Sequence, residues 1–226
     1  MLKDNIAIVL ERIAGACKKK GIEPGSVTLV AVTKTVDAES VREAISLGIK
    51  DIGESRVQEA QSKFEQLSDT LSVITKHMIG HLQSNKAKKA VELFDLIQSV
   101  DTLELAGEIN NASLQKGKVQ DVLLEIKVSD EATKFGLSPE EAKNFMADAE
   151  VLRNIRVRGL MAMAPYFEDP AKARPYFRKA REIFDGIRSV NKYAYFGVLS
   201  MGMSNDFEVA VEEGATMVRV GSAIFK

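Results

Sequence analysis

Apolar residues in this chain switch repeatedly between two periods, and the switches mark its elements. Residues 27–33, VTLVAVT, are aliphatic or β-branched at nearly every position, the pattern of a strand covered on both faces. Ahead of it, Ile6, Leu10, Ile13 and Cys17 recur at helical spacing, which predicts an opening amphipathic helix closed by Gly21. Behind it, Asp37 is placed to cap a helix with the stripe Val41, Ala44 and Ile45, and Gly48 stands where a terminator is expected. The cycle then repeats. Strands are predicted at about 50–53, 76–79, 95–99, 121–127, 157–162, 194–200 and 217–220, each separated from the next by a helical pattern.

Two of the intervening helices carry strong signals. Ser138 to Glu141, SPEE, combines a capping serine, proline in the first turn and glutamate at the third position, and Ala142, Phe145, Met146 and Ala149 follow on one face. Ala173, Tyr176, Phe177, Ala180, Ile183, Phe184 and Ile187 predict a long helix with a wide apolar face. The seven intervals between Thr28 and Met217 average 27 residues, with no proline- or glycine-rich linker between them. That regularity favours a single (β/α)8 TIM-type barrel domain over residues 1–226, with an extra N-terminal helix outside the repeat. No helix is expected after strand eight, and the N-terminal helix is expected to cover that side.

Composition narrows the functional classes. The chain is 45% hydrophobic and 28% charged, ordinary for a globular protein. Its 31 basic and 32 acidic residues leave a net charge of −1, which supplies no overall field for nucleic acid or an anionic membrane. Lys86, Lys88 and Lys89 read as a solvated helix face. The lone Cys17 has no partner for an internal disulfide, and no apolar run is long enough for a signal segment or a membrane span. A cytoplasmic protein with no nucleic-acid or membrane partner is expected, and a monomer.

In a parallel barrel, chemistry gathers at the carboxyl ends of the strands. Strand one ends on Lys34, whose amine can attack a carbonyl. Strand seven ends LSMGMSND, where Ser200, Met201 and Gly202 precede a helix that Ser204 is expected to cap; Gly221 and Ser222 follow strand eight. Two such loops side by side can hold an anion on their backbone amides. Arg219 lies between Val218 and Val220 inside a strand, where a guanidinium is costly unless something polar meets it. One cofactor satisfies all three: pyridoxal 5′-phosphate (PLP), with its aldehyde on Lys34, its phosphate in the loops and its ring nitrogen at Arg219. An arginine there cannot accept the pyridinium proton, so the ring is expected to be a subdued electron sink.

Through AVTKT, GESRVQE, HMIGHLQSNK, FGL, GLMAMAP and LSMGMSNDFEVAVEEGATMVRVGSAIF the chain resembles the pyridoxal-phosphate homeostasis proteins, whose barrel is similar to the N-terminal domain of alanine racemase. The resemblance implies that Lys34 is the Schiff-base lysine. It further implies that Ser200, the Met201–Gly202 backbone and the Gly221–Ser222 backbone hold the phosphate, and that Arg219 faces the ring nitrogen. It implies a role in keeping free PLP low and supplying it to PLP-requiring apo-enzymes, rather than robust catalysis. The chain departs from the family at Ser55, where asparagine is usual, and at Lys76, Ala162 and Lys226. The shorter Ser55 is expected to leave a cofactor oxygen to water and to lower affinity without abolishing it.

Competing readings weigh less. His77 and His81 straddle a strand end and a loop, so no metal site is expected. GVLSMG misses the G-x-S-x-G elbow by one residue, no G-x-G-x-x-G or G-x-x-x-x-G-K occurs, and Met161, Met163, Met201 and Met203 read as packing at the barrel top. The alternative of a PLP-dependent racemase-type enzyme requires two bases on opposite faces of the α-carbon. Lys34 supplies one; in the racemases that the barrel resembles a further domain carries the other, none is expected here, and no catalytic residue is assigned.

Overall fold

The computed structural model of the protein describes residues 1–129, 135–190 and 195–226. After α1 (Leu2–Lys20) the chain alternates β1 (Thr28–Val32), α2 (Ala38–Ser46), β2 (Asp51–Glu54), α3 (Val57–Gln66), β3 (Thr75–Met78), α4 (Ala87–Leu93), β4 (Leu96–Val100) and α5 (Leu103–Gln115). It continues with β5 (Gln120–Ile126), α6 (Pro139–Asp148), β6 (Ile155–Ala162), α7 (Arg174–Arg188), β7 (Val198–Ser200), α8 (Phe207–Glu212), β8 (Met217–Val220) and α9 (Ser222–Phe225). The strands pair in parallel, in sequence order, and close when β8 returns to β1 with Val30 opposite Arg219. The expected barrel is present.

Local chemistry explains most boundaries. Gly21 closes α1 in the left-handed region at φ 75°, the Asp37 carboxylate accepts the Ser40 amide, and Ser138 with Glu141 forms the expected capping box. Two apolar layers hold the barrel together. Val30, Leu96, Leu123, Met161 and Met217 pack against one another in an inner cluster, while Ile52, Ile97, Leu124, Leu160, Phe177 and Phe184 belong to the larger cluster between sheet and helices. Helix α1 buries Ile6, Val9, Ile13, Ala16 and Cys17 and packs beside α8 and α9.

Three expectations change. A short helix, α9, does follow strand eight; its four residues are too few to show a helical period. Strand seven is only Val198–Ser200, and the predicted start at residue 194 lies outside the described residues. Ser204 does not cap α8, whose cap position is Asp206. Among the described residues no helix is long and apolar enough to cross a membrane.

Candidate cofactor site at the barrel mouth

The residue before Lys34 is clamped from three sides. The Thr33 amide donates to the Gly53 carbonyl at 2.9 Å and its hydroxyl donates to Glu54 Oε1 at 2.7 Å. Lys63 Nζ donates to Glu54 Oε1 at 2.6 Å and to the Thr33 carbonyl at 2.5 Å. Thr33 and Glu54 are fully buried, so these bonds act in a dry environment where they are strong. Immediately beyond, Lys34 is exposed and among the described residues its amine makes no hydrogen bond or ion pair, while Thr35 sits in the left-handed region at φ 64°. A β-branched residue there costs about 1–2 kcal/mol and persists only where surrounding structure enforces it. Lys34 is therefore a free amine on a rigid base.

Arg219 is buried in the barrel interior. Its Nη1 donates to Ser200 Oγ at 2.7 Å and its Nη2 to the Ala162 carbonyl at 3.0 Å. Burial lowers its pKa to about 10, with Glu125 and Asp206 pulling the other way, so it remains a cation and can only donate. The Ser200 hydroxyl in turn donates to Gln98 Oε1 at 2.7 Å. This places the Ser200 side chain inward, beneath the mouth, rather than outward toward the neighbouring loops.

The two expected anion-holding loops do lie side by side. Arg219 N donates to the Gly202 carbonyl at 3.0 Å, and Ser204 Oγ accepts from the amides of Gly221 at 3.1 Å and Ala223 at 3.4 Å. Ser204 thus staples one loop to the other, a role its sequence position after a strand did not distinguish from capping. Gly202 has φ 93°, and a Cβ on it would lie 2.5 Å from the Ala210 Cβ, so the turn admits only glycine. The Met201 amide is committed to the Met217 carbonyl at 3.1 Å, whereas among the described residues those of Gly202 and Ser222 donate to no backbone carbonyl. Ser55, directly after β2 and so beside the end of β1, is partly buried, and Gly80 packs so closely that a Cβ there would lie 2.2 Å from the Ser55 carbonyl.

Acids complete the rim. Glu125, at the end of β5, is 4% exposed and burial raises it to about 7, helped by the Asp101 carboxylate and opposed by Arg219. Burial also raises Asp101 and Asp206, and Asp206 accepts the Met203 amide at 2.6 Å. Sequence reasoning missed Glu125 and Gln98, and it weighed His77 only as a metal ligand. A polar residue inside an otherwise apolar, doubly covered strand is the signal that could have found them, because such a group must be partnered.

Other candidates fall elsewhere. His77 lies in the interior against Asp51, whereas His81 is 3.6 Å from Asp101 and stacks on Phe135; among the described residues no group of three or more metal-ligating side chains is assembled. Lys76 pairs with Asp95 near the opposite ends of the strands, away from the mouth, and Ala162 contributes only its carbonyl. A groove of about 740 Å³ opens near the starts of β5 and β6, lined by Val119, Leu152, Ile155 and Tyr195 among others, and shares no residue with the mouth.

The mouth can thus do three things: offer an unpaired amine to a carbonyl, hold an anion on backbone amides, and face an aromatic acceptor with a fixed guanidinium. A barrel with this rim is of the class that the alanine racemase N-terminal domain defines, and the model of that family matches residues 12–226. The pyridoxal phosphate homeostasis protein of Aquifex aeolicus is 44% identical over 222 residues, covering 98% of this chain and 96% of that one. PipY of Synechococcus elongatus, solved without PLP, superposes with TM-score 0.89 at 35% identity, and its PLP-bound form with 0.87 at 34%, each covering the whole of both chains. The chain belongs to the pyridoxal phosphate homeostasis protein family.

Proposed function

We propose that this protein binds PLP as a Schiff base on Lys34 and serves to hold and supply the cofactor. The observation that carries the reading is the arrangement at one end of the barrel. The free amine of Lys34 follows β1, and the buried Arg219 lies beside that strand in register with Val30. The residues fit the group: Gly202 and Ser222 amides suit its phosphate, and Arg219 suits its ring nitrogen. Ser200 acts through Arg219, and Met201 and Gly221 shape the loops. Ser55 lies at the ring edge. When bound, PLP supplies an aldehyde that condenses with an amine, releasing water.

The protein's own residues favour holding over turnover. Arg219 has no proton-accepting atom, so it keeps the ring nitrogen unprotonated and its electron-withdrawing power low. A racemase-type reaction also needs proton-handling groups on both faces of a substrate carbon, and Lys34 supplies one. PLP-requiring apo-enzymes are the recipients in this reading, and the barrel acts as a monomer in the cytoplasm.

The test is direct. Wild-type protein mixed with PLP and reduced with borohydride should gain the mass of the reduced pyridoxyl phosphate group on the peptide containing Lys34, and Lys34→Ala should lose both that mass and the visible absorbance. Modification of a different lysine in the wild type would overturn the assignment.

A further inference from the structure

A chain of hydrogen bonds crosses the barrel interior from floor to mouth. Asp51 Oδ1 lies 2.9 Å from His77 Nε2, and His77 Nδ1 lies 3.0 Å from Gln98 Nε2. Gln98 Oε1 lies 2.7 Å from Ser200 Oγ, and Ser200 Oγ 2.7 Å from Arg219 Nη1. Gln98 and Ser200 are fully buried, His77 is 1% exposed and Arg219 4%. Five strands contribute one residue each.

The chemistry of the groups gives this chain a single direction. Arg219 can only donate, so Ser200 accepts from it and must send its one hydrogen to the Gln98 carbonyl oxygen. The Gln98 amide nitrogen is then turned away, donating to His77 Nδ1 and lying 3.2 Å from the Met217 sulfur. His77 Nδ1 therefore accepts, its hydrogen sits on Nε2, and that hydrogen goes to the Asp51 carboxylate. Reversing Gln98 or His77 leaves two donors or two acceptors face to face among buried groups, which is costly.

We propose that Gln98, oriented by His77 and Asp51, is a positioning residue that fixes the Arg219 guanidinium, through the Ser200 hydroxyl, in the pose that meets the cofactor's ring nitrogen. The proposal rests on the PLP reading of the site. Ala162 holds the other guanidinium nitrogen, so with both anchors in place Arg219 has no freedom to swing; with the Ser200 anchor loosened it pivots about a single bond.

The experiment compares wild type, Gln98→Leu, Arg219→Gln and the double variant. Each is titrated with PLP, followed by the absorbance band of the bound cofactor, then reduced with borohydride for mass analysis. Gln98→Leu should shift the band in the same direction as Arg219→Gln and weaken PLP binding about ten-fold, while still labelling Lys34. The double variant should be no worse than Arg219→Gln alone, since both remove one interaction. An unshifted band in a folded Gln98→Leu protein, or additive losses in the double variant, would overturn the proposal. Absence of Lys34 labelling in the wild type would instead overturn the underlying reading. If Gln98→Leu does not fold, Ser200→Ala breaks the chain one step nearer Arg219 and is judged on the same band.

Discussion

Glu125 shows how a single buried side chain ties the mouth to stability. Its pKa rises from an ordinary 4.5 to about 7 because burial disfavours the charged form, with Asp101 adding repulsion and Arg219 only partly offsetting it. Below the lower value both folded and unfolded chains carry the proton, and nothing is lost. Between the two values the unfolded chain releases it while the folded chain keeps it, so stability falls as pH rises and levels off above 7. The full penalty is about 3 kcal/mol at most. Glu125→Gln should therefore melt higher than the parent near pH 8, with the gap shrinking to nothing near pH 4. Melting curves of ligand-free protein at several pH values measure this, and a gap independent of pH would refute it. Lys34, Arg219 and the two loops were legible in the sequence because each sits at a strand end or violates an apolar run. Glu125 and Gln98 carry the same signal as Arg219, a polar letter in an apolar run, but which groups they meet is decided only when the barrel closes.

At the scale of elements, legibility followed length. Strands of four residues or more, β2, β3 and β8 included, announced themselves by apolar runs, and the capped helices α2 and α6 by their first turns as well. The four-residue α9 is little more than one helical turn, too short to show a helical period, and β7 was placed but is only three residues long. Ser204 was misplaced for a related reason. A serine before a helix reads as a cap, and only the return of β8 brings the Gly221 and Ala223 amides to its hydroxyl. The turn between β7 and α8 is also where sequence and geometry agree most tightly. Gly202→Ala would force φ 93° on a residue with a Cβ and drive that atom to 2.5 Å from Ala210 and 2.9 Å from the Phe207 backbone. The expected cost is roughly 2–4 kcal/mol by chemical denaturation, from backbone strain plus overpacking. PLP affinity should fall with it while the Lys34 amine stays reactive. Unchanged stability would mean that the turn has another conformation open to it.

The molecule as a whole is closed by α1, which occupies the side that a full-length eighth helix would otherwise cover. Polar contacts fasten its edges: Arg12 meets Glu208 at 2.6 Å, Lys19 meets Glu212 at 3.1 Å, and the Asn5 amide donates to the Ile224 carbonyl at 2.9 Å. Exposed ion pairs of this kind contribute about 0–1 kcal/mol each, so they set orientation more than strength. The strength comes from the apolar stripe, where Val9 is 1% and Ile13 3% exposed and Cys17 is fully buried. Truncating Ile13 to alanine leaves a cavity in that seam and should cost about 2–4 kcal/mol. Because α1 lies against α8 and α9, which flank the β8 strand that closes the barrel on β1, the loss should be felt by the entire fold at once. Far-ultraviolet circular dichroism reports the helices and near-ultraviolet signals report the tyrosines, the chain having no tryptophan. In Ile13→Ala both should shift to lower temperature together. A helical signal that melts early while the tyrosine transition stays put would show α1 to be an appendage, and the closure of the barrel would then have to come from the strands alone.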